Sequence, residues 1–327
     1  MVITQPGDSG VLRLQEVPVP KAGDREVLIK VMASALNRAD LMQRAGKYPA
    51  PKEAPQDVPG IEFAGEVVAM GDQSSRWQVG QRVFGITGGG AHAEFIAVHQ
   101  DTVAEVPANL SWAQAAAVPE VFITAHDAVW VQAGLASGES LLIHAVGSGV
   151  GLAAVQLARA KRAVPFGTSR TKDKLDRART HGMEDGVVIR DDLNVIREFS
   201  QNATSGKGFD VVLDLAGGGY VTASIPAMAN KGRIMLVGLV AGSQATVNLG
   251  QMLSRRIRMT GTVMRARSLD EKIKATERFA QEVVPLLAQE RLYPEIDCEF
   301  PIDEIQSAHQ RLESNDTFGK VVLRIGY

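Results

Sequence analysis

Residues 141–158 read L-L-I-H-A-V-G-S-G-V-G-L-A-A-V-Q-L-A, a buried-strand run, a glycine-rich turn and a helix start in unbroken succession. No other segment restricts the fold as much, because this order is the strand–turn–helix of a dinucleotide pyrophosphate cradle. Gly147, Gly149 and Gly151 let the backbone turn sharply and approach a ligand, while the first N–H groups of the helix face anionic phosphate oxygens. The six residues ending at Gly151 are V-G-S-G-V-G, so the strict G-x-G-x-x-G spacing is not met. An ordinary tight turn would also use these glycines.

The continuation favours the cradle. Ala163–Thr168 has the composition of a second parallel strand, ending about 20 residues beyond the glycines as a doubly wound unit requires. At its end, where an acid would bind a free ribose 2′-hydroxyl, the chain has Ser169-Arg170-Thr171-Lys172-Asp173-Lys174. An acid would repel a 2′-phosphate, whereas Arg170, Lys174 and two hydroxyls suit one. The reading is NADPH over NADH; a solvated helix start of mixed charge is the plainer alternative.

A chain of 327 residues, 45% of them hydrophobic, exceeds what one core usually organises, so two domains are expected. The net charge of −2 gives no footprint for nucleic acid or an anionic membrane. Arg255-Arg256-Ile257-Arg258 is too short a basic run to alter that and reads as a solvated face. No run of 18 apolar residues occurs and no basic-then-apolar leader opens the chain, which points to a cytoplasmic protein. The single cysteine, Cys298, excludes an intrachain disulfide and a multi-cysteine zinc cluster, and reads as structural. The six histidines (His92, His99, His126, His144, His181 and His309) form no close pair at metal-ligand spacing. No metal is expected.

Three regions separate by pattern. Up to about residue 118, short strand-like runs (Glu26–Val31, Gly65–Met70, Arg82–Ile86, Ala93–Val98) are punctuated by glycine and proline, as in a small β-barrel. From there to about residue 269, strands such as Phe209–Asp214 and Arg233–Gly238 alternate with helices, the mark of a parallel sheet covered on both faces. A helix from Glu271 to Ala288 and a closing strand, Lys320–Ile325, follow. The expected division is 1–118 with 270–327, and 119–269.

Glu16-Val17-Pro18-Val19-Pro20, Gly60-Ile61-Glu62-Phe63-Ala64-Gly65-Glu66-Val67, the glycine turn with Val155-Gln156-Leu157-Ala158, and Gly319-Lys320-Val321-Val322-Leu323 together resemble the medium-chain dehydrogenase/reductase superfamily over nearly the whole chain. Residues 33–44, A-S-A-L-N-R-A-D-L-M-Q-R, are similar to its quinone oxidoreductase branch, which includes the zeta-crystallin-like enzymes. The resemblance implies an α/β protein: a GroES-like barrel joined to a Rossmann domain, with a cleft between them. It also implies a homodimer or homotetramer built through the cofactor domain. The zinc-dependent members carry a histidine ligand before the glutamate of Gly-x-Glu, where this chain has Ile61, and the cysteines of their structural zinc lobe are absent. Without a Lewis acid, hydride delivery to an already electron-poor acceptor is the chemistry left.

The resemblance also carries site residues. Asn37, Asp40 and Tyr48 match the substrate-side motif: Asn37 and Tyr48 as hydrogen-bond partners of an acceptor carbonyl, Asp40 as a brace for their loop. Thr124 matches the helix that meets the nicotinamide, and Glu120 is divided between cleft and structural roles. Gly147, Ser148, Gly149 and Val150 are the pyrophosphate contacts; Ser169, Arg170 and Lys174 take the 2′-phosphate; Ala216, Gly217, Gly238 and Leu239 border ribose and nicotinamide. Ile189 stands where relatives place a tyrosine on the adenosine phosphate. The expected activity is NADPH-dependent reduction of a small quinone-type acceptor by direct hydride transfer, with no covalent intermediate. Reduction of α,β-unsaturated carbonyls and a non-catalytic, crystallin-like NADPH-binding role remain as alternatives.

Overall fold

Leu141, Leu142 and Ile143 are wholly buried, as a parallel strand covered on both faces must be. They belong to strand Ser140–Ile143, near the middle of a six-stranded sheet in a computed structural model that describes residues 1–327. The spatial order is Asp185–Val188, Val164–Ser169, Ser140–Ile143, Phe209–Asp214, Met228–Leu236 and Arg258–Gly261, with every pairing parallel. Counted along the chain, that order is third, second, first, fourth, fifth, sixth, the doubly wound Rossmann arrangement. Its switch point falls between Ser140–Ile143 and Phe209–Asp214. All six residues of Phe209–Asp214 are buried, whereas all four of the edge strand Arg258–Gly261 are exposed. Phe166, Phe199 and Phe209 meet ring to ring at 5.4–6.0 Å on one face.

This sheet lies in one of two compact units, Thr124–Val263; the other is Met1–Ile123 with Met264–Tyr327. The second unit is built on strand Glu26–Ala35, whose inward side chains Val27, Ile29, Val31 and Ala33 are wholly buried. Ten residues give it room for three partners. Along one edge, Glu26–Lys30 pairs with Phe95–His99 and Ala33–Ala35 with Lys320–Arg324; along the other it pairs with Glu62–Met70. Arg82–Ile86 and Val103–Glu105 extend the sheet on that side, and Ile296–Pro301 joins Lys320–Arg324 in the one parallel pair.

The helix expected over 271–288 is two helices, Leu269–Glu282 and Val284–Ala288. Pro285 has no N–H to continue the ladder, so the chain bends at Val283. The first begins where Ser268 and Glu271 form a reciprocal capping box, and its Phe279 meets Phe84 edge to face at 5.7 Å. Burying that ring stabilises the contact by about 1.5–3 kcal/mol. The strand expected over Arg233–Gly238 begins earlier, at Met228, and stops at Leu236. Among the basic residues at 255–258, Arg255 folds back onto the carbonyls of Pro226 and Met228 rather than facing solvent alone.

Candidate functional site

The glycine turn bends in a different way from the one its sequence suggests. None of Gly147, Gly149 and Gly151 takes a left-handed conformation; Ala145 does, at φ 53°. An alanine there carries a strain of about 1–2 kcal/mol. Gly151 serves close packing instead: a Cβ at that position would lie 2.5 Å from the carbonyl oxygen of Val146. Ser148 precedes helix Gly149–Ala160 and its Oγ accepts the N–H of Gly151 at 3.2 Å. The N–H groups of Gly149 and Val150, at the first two helical positions, have no intrahelical acceptor and face whatever binds there.

Beneath the turn, His144 is fixed by its neighbours. Ser224 Oγ donates to Tyr220 O, so it accepts from His144 Nε2 at 2.8 Å, and Nδ1 is left to accept from Thr168 Oγ1 at 3.1 Å. Burial pushes His144 down to about 4, so the ring is neutral at pH 7. Val146 N donates to Thr168 O, joining the turn to the next strand.

At the ends of the adjoining strands, Asp214 Oδ1 accepts from Ala216 N and Gly217 N, both at 2.8 Å. Gly238 N donates to Asp214 O and Ala241 N to Ala216 O. Gly217 has φ 72° and bridges Gly242, a conformation an L side chain would strain. Ala216, Gly217, Gly238 and Leu239 are therefore brought to one end of the sheet, on the side where Ser148 also lies. Ala216 is buried and Leu239 is 52% exposed. Ser169 ends strand Val164–Ser169 and is buried, accepting from Thr171 N; Arg170 is exposed and Lys174 half-buried in the first turn of helix Lys172–Thr180. Tyr220 feels the Arg170 charge, which opposes the upward push of burial on its phenol. Ile189 is 1% exposed and packs in the core.

In the other unit, Asn37, Asp40 and Tyr48 surround helix Arg38–Arg44. Asp40 is wholly buried and reaches back to the N–H of Asn37 at 2.7 Å and across to that of Gly60 at 3.0 Å. Burial pushes it up to about 6 against those two donors and the charges of Arg265 and Lys320. Since the folded value exceeds the unfolded one, keeping Asp40 ionised costs stability above about pH 6, and the cost fades as pH falls below that value. His92 stands beside it. Ser34 Oγ donates to Glu62 O and so accepts from His92 Nδ1, which leaves Nε2 a buried, unpartnered acceptor 3.9 Å from Asp40 Oδ2.

The amide of Asn37 is committed to a buried charge network. Its nitrogen donates to Glu62 Oε1 at 2.8 Å and to Ala35 O at 3.3 Å; its oxygen accepts from Lys320 Nζ at 2.8 Å. Lys320 also bonds Leu36 O and Glu62 Oε1, both at 2.7 Å, and Glu62 Oε2 accepts from Glu120 N at 2.8 Å. Glu62 and Lys320 lie within the family-like motifs, yet motif matching alone gives neither a role; their pairing appears only when the strands align.

Tyr48 differs from both. It is half-buried, its ring lies 5.2 Å from the guanidinium of Arg265, and its hydroxyl has no hydrogen-bond partner in the protein. Burial raises its phenol above the ordinary value and Arg265 opposes the rise. Thr124, the first residue of the sheet unit, is buried on helix Pro119–His126. Cys298 is half-buried, and burial with the Asp297 contact pushes its thiol up to about 11, so it is no nucleophile at neutral pH. No three His, Cys, Asp or Glu side chains are grouped to hold a metal, and Ile61 is a core residue. No helix is long and apolar enough to cross a membrane.

These two units define an alcohol dehydrogenase-like fold. Residues 23–108 match the alcohol dehydrogenase GroES-like domain and residues 185–323 the zinc-binding dehydrogenase family. A quinone oxidoreductase of Pseudomonas aeruginosa is 32% identical over 318 residues, covering 97% of this chain and 96% of its own. The structure of Escherichia coli quinone oxidoreductase complexed with NADPH superposes with a TM-score of 0.87 at 26% identity, covering 99% of this chain and 98% of its own. A structure described as an NAD-dependent alcohol dehydrogenase gives 0.88 at 29%, covering 99% of each. The chain belongs to the medium-chain dehydrogenase/reductase family of oxidoreductases.

Proposed function

We propose that this protein is an NADPH-dependent reductase that delivers hydride to a quinone-type acceptor without a metal. The observation that carries the acceptor side is Tyr48, a half-buried phenol whose hydroxyl is unspent, beside Asn37 and Asp40 whose polar atoms are occupied. Tyr48 contacts the acceptor oxygen, Asn37 holds the Glu62–Lys320 network, and Asp40 braces the loop. Gly147, Ser148, Gly149 and Val150 hold the pyrophosphate of NADPH, a reading supported by the helix N–H groups of Gly149 and Val150, which have no intrahelical acceptor. Ser169, Arg170 and Lys174 take its 2′-phosphate; Ala216, Gly217, Gly238 and Leu239 border its ribose and nicotinamide. Thr124 faces the nicotinamide. Bound NADPH supplies the hydride; the protein orients the reactants and excludes water, with the proton taken from solvent.

Tyr48→Phe removes one neutral hydrogen bond, about 0.5–1.5 kcal/mol, so kcat/KM for an ortho-quinone falls about 2- to 13-fold while NADPH affinity is kept. Tyr48→Ala loses ring packing as well and falls further. Abolished turnover in a folded, NADPH-binding Tyr48→Phe would make the phenol an obligatory proton donor and overturn the positioning role. An enone run beside the quinone separates the two reductase activities, and tight NADPH binding without turnover on either would favour a non-catalytic protein.

Active protein is expected to contain no stoichiometric zinc and to keep its turnover through prolonged chelation. Elemental analysis that finds one zinc per chain refutes that. The assembly is proposed to be a cytoplasmic homodimer or homotetramer, supported by the exposed edge strand Arg258–Gly261 and its apolar Met259, with Leu249 and Leu253 on the helix before it. Sedimentation showing a monomer at micromolar concentration would exclude it.

A further inference from the structure

Arg265 is 4% exposed, and the carboxylates that act on it, Asp40 and Glu120, make no hydrogen bond to it. Its Nε donates to Gly88 O at 2.8 Å, its Nη1 to Tyr48 O at 3.3 Å and its Nη2 to Gln43 Oε1 at 2.5 Å, all neutral acceptors. A guanidinium has five N–H donors, so this one keeps two beyond those bonds. A buried cation is costly unless anions compensate it; here Asp40 and Glu120 do so only at a distance, and the direct contacts are all neutral. The face it presents to the Tyr48 ring, 5.2 Å away, is where that charge acts.

We propose that Arg265 is the positioning residue for acceptor reduction: its charge polarises the Tyr48 hydroxyl and, through it, stabilises the negative oxygen that forms when hydride reaches the acceptor. This rests on the assignment of Tyr48 to the acceptor. The step balances simply. Hydride brings two electrons to the quinone and leaves one ring oxygen anionic; one solvent proton then gives the hydroquinone. Positive potential held in a partly desolvated site lowers the energy of that oxyanion more than that of the neutral quinone.

The other charges near this pair are few. Asp40 on helix Arg38–Arg44 and Glu120 on helix Pro119–His126 act on Arg265, Glu120 also acts on Tyr48, and Lys272 on helix Leu269–Glu282 feels both Arg265 and Glu120. Burial pushes Arg265 down, with Asp40, Tyr48 and Glu120 opposing.

The chain has four tyrosines, so phenolate absorbance can follow Tyr48 once the Tyr48→Phe trace is subtracted. Arg265→Gln keeps hydrogen bonding and removes charge; Arg265→Lys keeps charge and loses the planar three-way bonding. Arg265→Gln is expected to move the Tyr48 titration to higher pH and to lower kcat for a quinone by as much as Tyr48→Phe does and no more, about 2- to 13-fold, with NADPH affinity unchanged. Arg265→Lys should keep the titration near that of the unaltered protein and recover most of kcat. If Lys behaves as Gln does, the bonding matters and the charge does not, and the proposal fails. Should Arg265→Gln not fold, Arg265→Lys alone decides: a titration moved to higher pH, or a loss of kcat as large as that of Tyr48→Phe, overturns it. Because the titration needs no acceptor, a protein that ignores quinones but shifts Tyr48 as described would refute the acceptor assignment while leaving the Arg265–Tyr48 coupling intact.

Discussion

Lys320→Met is expected to destabilise the unit that carries Glu62 by about 3–5 kcal/mol, the usual cost of stranding one partner of a buried ion pair. Lys320 and Glu62 are 5% and 0% exposed, and their contact is 2.7 Å. All three ammonium protons have acceptors in Leu36 O, Asn37 Oδ1 and Glu62 Oε1. Removing the ammonium leaves Glu62 with the Asn37 amide and the Glu120 N–H as its donors. At roughly 2–4 °C per kcal/mol for a domain of this size, the melting temperature should fall by about 6–20 °C. The Glu62→Gln, Lys320→Met pair should recover much of the loss, because a buried pair replaced as a whole is often close to neutral. A single variant within about 1 kcal/mol of the parent would mean that water reaches the pair. Turnover on a quinone should fall in step with the folded fraction, since the same unit carries Tyr48.

That network shows where reading the chain alone stops. The parallel sheet was legible because strands covered on both faces must be apolar at successive positions, and Leu141–Ile143 and Phe209–Asp214 display this directly. The cradle was legible in composition but not in conformation: nothing marks Ala145 as left-handed, because tertiary packing imposes that φ on a residue with no preference for it. The six-residue glycine pattern suggested that glycine does the bending, whereas Gly151 is needed for its missing Cβ. Asn37 stood out by resemblance as a group facing the acceptor. Its amide is instead held by a lysine near the far end of the chain, a pairing set by antiparallel register between Lys320–Arg324 and Glu26–Ala35. Arg265 gave no signal at all. In a local R-A-R it looks like a solvated cation, and only its seat against Tyr48 and the Gly88 carbonyl shows it to be buried.

The 2′-phosphate contacts can be tested most directly through cofactor choice. If Arg170 and Lys174 hold that group, Arg170→Ala and Lys174→Ala each lose charge-assisted hydrogen bonds of roughly 1.5–3 kcal/mol, or about 10- to 150-fold in NADPH affinity. NADH carries no 2′-phosphate and should bind almost unchanged. Ile189 cannot share the task, because it lies in the core at 1% exposure. Arg170 is exposed and Lys174 half-buried, so salt screens both contacts. The upper end of the range belongs at low ionic strength, and the gap between NADPH and NADH should narrow as salt is raised. Arg170→Lys tests geometry apart from charge: a lysine binds phosphate as a point charge but cannot make the guanidinium's paired bonds, so it should recover part of the affinity. Fluorescence titration of both cofactors against all three variants decides the matter. Equal weakening of NADPH and NADH would show that these residues act by holding the helix Lys172–Thr180 in place and not by touching the phosphate.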